Sequence, residues 1–349
     1  MTGRELRRPS EEDLAALVAH RDGTCISIYL PVEHGPAAPL NAIRGDLLLH
    51  ACRDELAQRG LDGRASQQLL EPLLDLLGGR PFGSAGTEGL ACFQSGGLCA
   101  SYAVPVRTPV RSVVADRFYV KPLFALAGAS SRYYVLALEA ERMRLFAAAP
   151  CSIRELAVAG IPPGSFGLGA PPAEARALVD RWADRVAEAP APVVLAGEEH
   201  RVTSFREMSQ PLDLVARHVR VDPARLTSAE LLALSWPVAA PRIRAKRHAA
   251  AERAKRLEGS LLVSHDMAEI VAAADGGRLD ALFIPQGHSL WGRFDAASGA
   301  VEVFDEKRPD AVDLYDVAAA RSYLTGTDIF VVDPKNVPGG AAVTATFRH

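Results

Sequence analysis

R-E-L-A-V-A-G-I-P-P-G-S-F-G-L-G-A-P-P-A-E-A-R-A-L-V-D-R-W, Arg154–Trp182, reads as the end of a strand, a Gly/Pro loop at Gly160–Pro172, and an amphipathic helix over Ala173–Ala187. Glycines at 164, 167 and 169 can take positive φ, and Pro162, Pro163, Pro171 and Pro172 stiffen both flanks. Upstream, Arg132–Leu138 and Arg142–Ala148 read as two strands joined at Glu139–Glu141. Downstream, Pro192–Ala196 is a short buried strand. Strand, strand, loop, helix, strand predicts an α/β unit with its helices packed on a sheet. The loop itself holds no acid, base, lysine or metal ligand, so it names no chemistry alone.

The same reading extends in both directions. Before the middle unit, Ser10 precedes acids in a first helical turn, and Cys25–Leu30 is a buried-looking strand ended by Pro31. A helix follows from about Leu40, with Ile43, Leu47, Ala51 and Leu56 as its apolar face, and then a second helix over Ser66–Leu77. Gly89–Gln94 and Leu98–Pro105 make a hairpin about S-G-G. After the middle unit, Thr227 or Ser228 caps a helix that Pro237 and Pro241 interrupt. Pro241 then opens a new helix, Arg242–Glu258. Ser260–Val263 is a strand, and Ser264 caps a helix carrying Met267, Ile270, Val271 and Ala274 on one face. Leu279–Ile284 completes a βαβ unit with parallel strands. Trp291–Phe294 and Val301–Phe304 form a hairpin, Leu314–Leu324 a helix, Asp328–Val332 a strand and Ala341–Phe347 a closing strand.

With 349 residues, 48% apolar and 23% charged, the chain is long enough for two or three ordinary globular domains. A net charge of −3 gives no global pull toward polyanions, so a nucleic-acid contact requires a local patch. Five of the 39 basic residues are lysine (121, 246, 255, 307 and 335) and the rest arginine, a bias that a GC-rich coding sequence explains without RNA. Five cysteines with no C-x-x-C pair argue against a disulfide framework and a zinc site, and fit a reducing compartment. The N-terminus lacks an apolar signal core and no uncharged run reaches the roughly 18 residues of a membrane span, so a soluble cytoplasmic protein is expected, with no membrane partner.

No phosphate-binding G-K-[ST] loop, G-x-G-x-x-G, H-E-x-x-H or G-x-S-x-G occurs. No catalytic residue, metal ligand set or cofactor is therefore assigned. Glu198-Glu199-His200 reads as a surface loop, Ser165 as a loop serine without a base, and Asp266 and Glu269 as acids suited to a helix N-terminus. The densest local charge is on 241–258, where seven Lys/Arg (242, 244, 246, 247, 253, 255, 256) face two Glu (252, 258). On a 100° wheel Arg242, Lys246, Arg253 and Arg256 form one stripe, beside an apolar face of Ile243, Ala250, Ala254 and Leu257. That stripe is the candidate RNA or ribosome contact.

Seven segments, in order, carry a resemblance: I-S-I-Y-L-P-V (26–32), N-A-I-R-G-D-L-L (41–48), A-D-R-F-Y-V-K-P-L (115–123), R-Y-Y-V-L-A-L with R-M-R-L-F (132–146), P-V-V-L-A-G-E-E-H (192–200), G-R-L-D-A-L-F-I (277–284) and P-G-G-A-A-V-T-A-T-F-R (338–348). Together the chain resembles the bacterial relatives of the archaeal and eukaryotic class-I peptide-chain release factors and Pelota. The resemblance implies three α/β domains. These are a divergent N-terminal domain at 1–128, a ribonuclease-H-like middle domain at 129–240, and a C-terminal domain at 241–349 like the kink-turn-binding ribosomal proteins. In release factors a Gly-Gly-Gln loop between a strand and a long helix of the middle domain helps water attack peptidyl-tRNA. Here the equivalent position reads G-S-F-G-L-G, and Gly164, Ser165, Gly167 and Gly169 mark the candidate functional loop. Between Gln94 and Gln286 the sole glutamine is Gln210, and no N-I-K-S motif occurs.

The resemblance thus implies a translation factor-like protein partnered by the ribosome or tRNA, in rescue, hibernation or quality control, without Gly-Gly-Gln-type peptide release. Two alternatives stand beside it. One is a hydrolase of an ester or phosphoester using the loop's backbone N–H groups, or a nuclease using middle-domain carboxylates (Glu139 and Glu141 on a turn facing solvent, Glu198 and Glu199 beyond a strand). The other is a protein-interaction module that kept the scaffold and meets a protein partner, with the aromatic hairpin around Trp291 as a contact.

Overall fold

The computed structural model describes residues 6–77, 86–140, 142–157, 172–208, 212–295, 298–308 and 311–348. They divide into two units, one built from 1–125 with 251–349 and the other from 126–250. Each unit is α/β, as expected from the alternation of elements.

The first unit begins with α1 (Glu11–Ala19), whose Ser10 cap and Asp13 make a reciprocal capping box. Its first sheet takes β1 (Cys25–Pro31), β2 (Gly89–Gln94), β3 (Cys99–Val104) and β4 (Arg111–Ala115) in the order β3-β2-β1-β4, all antiparallel. Every residue of β1 is buried because both faces are covered. On one face, α2 (Pro39–Gln58) and α3 (Gly63–Leu77) bring Leu48, Leu49, Cys52, Leu56, Leu70 and Leu73 against Ile26, Ile28, Leu30 and Cys92. On the other, Tyr29, Phe93, Phe118 and Tyr119 meet edge-to-face at centroid distances of 5.5–5.9 Å.

The face of α2 differs from the expectation. Ile43 and Leu47 are 63% and 64% exposed and Ala51 is also exposed; of that predicted face only Leu56 is buried. The buried stripe is Asn41, Gly45, Leu48, Leu49, Cys52 and Leu56. Asn41 belongs inside because its amide ties both backbone groups of Glu33, at 2.8 and 2.9 Å. Gly45 belongs there because a Cβ would sit 3.2 Å from Leu77 Cβ of the packed helix α3.

The chain leaves the first unit through α4 (Lys121–Ala127). In the second unit, β5 (Tyr133–Leu138), β6 (Met143–Ala149), β7 (Ser152–Leu156) and β8 (Val193–Gly197) form a sheet in the order β7-β6-β5-β8. Here β5 and β8 are parallel and the other pairs antiparallel. One face is covered by α5 (Pro172–Ala187) and α6 (Glu199–Met208) through Val179, Trp182, Val186, Val202 and Phe205. The opposite face receives Leu231, Leu232 and Ala239 of α7 (Ser228–Arg256).

The helix α7 overturns the expected break. It runs unbroken for 29 residues with Pro237 and Pro241 inside it, so Arg242 does not start a new helix. Each interior proline removes one hydrogen bond and crowds the carbonyl four residues back, about 3 kcal/mol apiece. Burial of Leu231, Leu232 and Ala239, with partial burial of Trp236, Val238 and Ile243, offsets that at up to about 1.5–3 kcal/mol per large side chain. The start is as expected: Thr227 and Glu230 form a capping box, Glu230 N donating to Thr227 Oγ1 at 3.3 Å and Thr227 N to Glu230 Oε2 at 2.9 Å.

The rest of the first unit holds β9 (Val263–Ser264), α8 (Met267–Asp275), β10 (Leu279–Pro285), β11 (Trp291–Phe294), β12 (Val301–Val303), β13 (Val312–Asp313), α9 (Leu314–Leu324), β14 (Asp328–Val332) and β15 (Thr344–Phe347). The sheet order is β14-β10-β15-β9, with β10 and β14 parallel. Both β9 and β10 are antiparallel to β15, so the two strands of the expected βαβ unit share a direction but are separated by β15. Asp266, not Ser264, is the N-cap of α8, accepting from Ala268 N at 2.7 Å. Ser264 instead binds Asp266 N and Glu269. A smaller sheet, β12-β11-β13, contains the expected hairpin at Trp291. Cys25, Cys52, Cys92 and Cys151 are buried and Cys99 is exposed; none is disulfide-bonded.

Candidate nucleic-acid interface

Residues that favour helix and carry charge dominate the second half of α7, and from Arg244 to Ala249 every residue is exposed. A helix segment with no apolar face in contact must be held from its ends. Leu231 and Leu232 anchor one end in the second unit, and Ala254 is fully buried in the first. The sequence-predicted stripe divides on inspection. Arg242 donates to both oxygens of Asp213 at 3.1 and 3.2 Å, and Arg253 is paired with Asp280. Lys246 and Arg256 are exposed. Neutralised guanidiniums contribute little to an external field, so Arg242 and Arg253 are weaker phosphate contacts than their wheel positions imply.

Arg244 and Arg247 fall outside the predicted stripe, yet both are exposed and, like Arg256, have no ion pair among the described residues. Sequence contained the signal: seven cations in 18 residues cannot be confined to one stripe. Cations opposite the stripe are missed when one side of the helix is taken to be buried, and α7 buries none over Arg244–Ala249.

The candidate loop residues Gly164, Ser165, Gly167 and Gly169 lie outside the described residues, as does Glu141. Glu139 corrects an expectation: it is buried, not solvent-facing, and accepts hydrogen bonds from Nε of Arg142 at 2.5 Å and Nε of Arg144 at 2.7 Å. Its charge is thereby answered by two guanidiniums, leaving little pull for a cation. Glu198 pairs with Arg201 at 3.2 Å and Glu199 with Arg220 at 3.2 Å. Among the described residues no three of His, Cys, Asp and Glu come together as a metal cage. The rings of the Trp291 hairpin are each faced by a cation, Lys307 at 5.5 Å over Trp291 and Arg321 at 4.3 Å over Phe294. No helix among the described residues is long and apolar enough to cross a membrane.

Residues 176–278, from within α5 to the start of β10 and including all of α7, match the bacterial archaeo-eukaryotic release factor family 3. Over that stretch, less than half of its length, the chain is similar to that family. No curated protein matches it. Among solved structures it is similar to an archaeal translation termination factor, aRF1, at 14% identity, covering 98% of this chain and 99% of that one with a TM-score of 0.28. Ribosome-bound archaeal Pelota, described with ABCE1, is 9% identical over 99% and 96% of the two chains, with a TM-score of 0.39. The Pelota protein of Thermoplasma acidophilum is 12% identical over 99% and 95%, with a TM-score of 0.23. The whole of the exposed basic segment of α7 lies inside the matched residues.

Proposed function

We propose that this chain is a ribosome- or tRNA-associated factor of rescue, hibernation or quality control that does not release peptide by a Gly-Gly-Gln mechanism. The observation that carries the proposal is the segment Arg244–Ala249 of α7, exposed on all sides and presenting Arg244, Lys246 and Arg247. Cations held out on a helix can each displace a condensed counterion from an RNA backbone, an entropic gain available only where the partner is densely anionic. A chain with a net charge of −3 has no such property as a whole, so the gain needs a local patch, and this helix supplies one. The sequence G-S-F-G-L-G in place of Gly-Gly-Gln supports the non-releasing part of the reading. The relatives named above, a termination factor and ribosome-bound Pelota, are compatible with such a partner. The three-domain division at 1–128, 129–240 and 241–349 belongs to the same proposal. It is supported by each sheet drawing its strands from only one of those ranges.

The test uses Arg244→Glu, Arg247→Glu and Arg256→Glu together, because these side chains have no ion pair among the described residues to lose. Ribosome co-sedimentation of the full chain across a salt series is expected to weaken. The log–log salt slope should flatten by about 0.7–0.9 for each phosphate contact removed. Unchanged binding in the folded triple variant would sink the assignment of α7. Peptide release from programmed ribosomes by the native chain would sink the non-releasing part.

A further inference from the structure

A second site, off α7, lies on the outer side of the second unit's sheet. Beside β8 runs the segment 213–219, which pairs with it only at two isolated points, Leu214 with Val193 and Val219 with Ala196. Five steps of one chain thus span three of the other. The surplus is taken up by Ala216-Arg217-His218, which bulges from the pairing between Val215 N→Val193 O and Val219 N→Leu195 O, both 2.9 Å. Arg206 of α6 staples the bulge, its Nη2 donating to the carbonyls of Val215 at 3.1 Å and Ala216 at 2.6 Å.

Between α6 and the bulge opens a groove of about 910 Å³, lined among others by Glu199, Arg206, Glu207, Arg217, His218 and Arg220. Two polar nitrogens of this lining are buried without a hydrogen-bond partner: Arg206 Nε and His218 Nε2. The His218 side chain is only 8% exposed, and its Nε2 stands 3.5 Å from Glu199 Oε2, outside good hydrogen-bond geometry. Buried polar atoms are paired in folded proteins to better than about nine in ten, so the Arg206 N–H calls for an acceptor, and His218 Nε2, donor or acceptor by its tautomer, for a partner beyond the Glu199 carboxylate. Three guanidiniums against two carboxylates make that acceptor an anion, while the carboxylates suit hydroxyl donors.

We propose that this groove binds the phosphate of a ribonucleotide, Arg206, Arg217 and His218 holding the anion and Glu199 and Glu207 accepting from ribose hydroxyls. Arg220, paired with Glu199 at 3.2 Å, sets the direction of that carboxylate. The proposal is independent of the α7 reading, since none of these residues is on that helix. Its shared chemistry, a ribose phosphate, could be presented by a free mononucleotide or by an RNA end.

Calorimetric titration of the full chain with AMP, adenosine, dAMP and a 5′-phosphorylated RNA trinucleotide tests it. AMP is expected to bind, with adenosine and dAMP each weaker by about tenfold or more, the value of one lost charge-assisted contact. Arg217→Glu with His218→Gln should weaken AMP by at least about tenfold while circular dichroism and the thermal midpoint stay near the native values. Arg206 is left intact because it holds the bulge. A trinucleotide tighter than AMP identifies RNA as the source, and a weaker one identifies the free nucleotide. Absence of heat with every phosphate compound, or AMP affinity unchanged in the folded double variant, would overturn the site.

Discussion

Lys121 is 3% exposed and its Nζ lies 2.6 Å from Asp313, itself 1% exposed, while it also donates to the His288 carbonyl. Next to this pair Asp316 accepts from the backbone N–H of Val120 at 2.8 Å and of Lys121 at 2.6 Å. A buried pair adds little net stability, but removing one partner strands the other in a poor solvent for charge. Lys121→Met is therefore expected to lower unfolding free energy by about 3–5 kcal/mol in urea titration. Asp316 tests the same cluster from the other side. Burial, then repulsion from Asp313, lifts its carboxyl from 3.8 to about 7, against the pull of the two N–H groups. The folded state then binds a proton that the unfolded chain has released. Stability from this group is full below about pH 4 and declines as pH rises through about 7. Asp316→Asn should flatten the dependence of stability between pH 5 and 8, and an unchanged slope would remove Asp316 as its source.

At the scale of elements, hydropathy and turn residues located most segments, and Gly89–Gln94, Leu314–Leu324 and Asp328–Val332 have the expected bounds. What escaped was decided by tertiary contact. The inward face of α2 is disguised because Asn41, Gly45 and Cys52 are small or polar while Ile43 and Leu47 point outward. Pro237 and Pro241 mark a break by local rules, yet burial against the second face of the β5–β8 sheet keeps α7 whole. The groove is harder still to read, since Arg206 and His218 are brought to one groove by a bulge with no sequence pattern. By contrast, the basic helix was visible as composition, and only the choice among its cations needed coordinates. Close approach also explains Gly292 in β11. A Cβ there would lie 2.3 Å from the Glu302 carbonyl and 2.6 Å from Leu314 Cδ1. Gly292→Ala should cost about 1–3 kcal/mol, measured as a lowered thermal midpoint. An unchanged midpoint would mean that β12 can shift away without loss.

Across the whole molecule, charge and thiols are distributed unevenly. The net charge is −3, while α7 gathers basic residues along an exposed stretch, so salt should affect partner binding far more than folding. Cys25, Cys52 and Cys92 are buried in the first unit and Cys151 in the second, with Cys99 exposed. Burial pushes the Cys25 thiol to about 11 and those of Cys52 and Cys92 to about 12, so few thiolates form there near neutral pH. Native protein should add one thiol label within minutes, at Cys99, as read by intact mass. Fast addition of several would contradict the burial. The four sequestered sulfurs then act as a tamper seal written into the chain. Peptide mapping after brief exposure to urea would show which seal breaks first, three for one unit and a single one for the other, giving the order in which the two units open without any engineered probe.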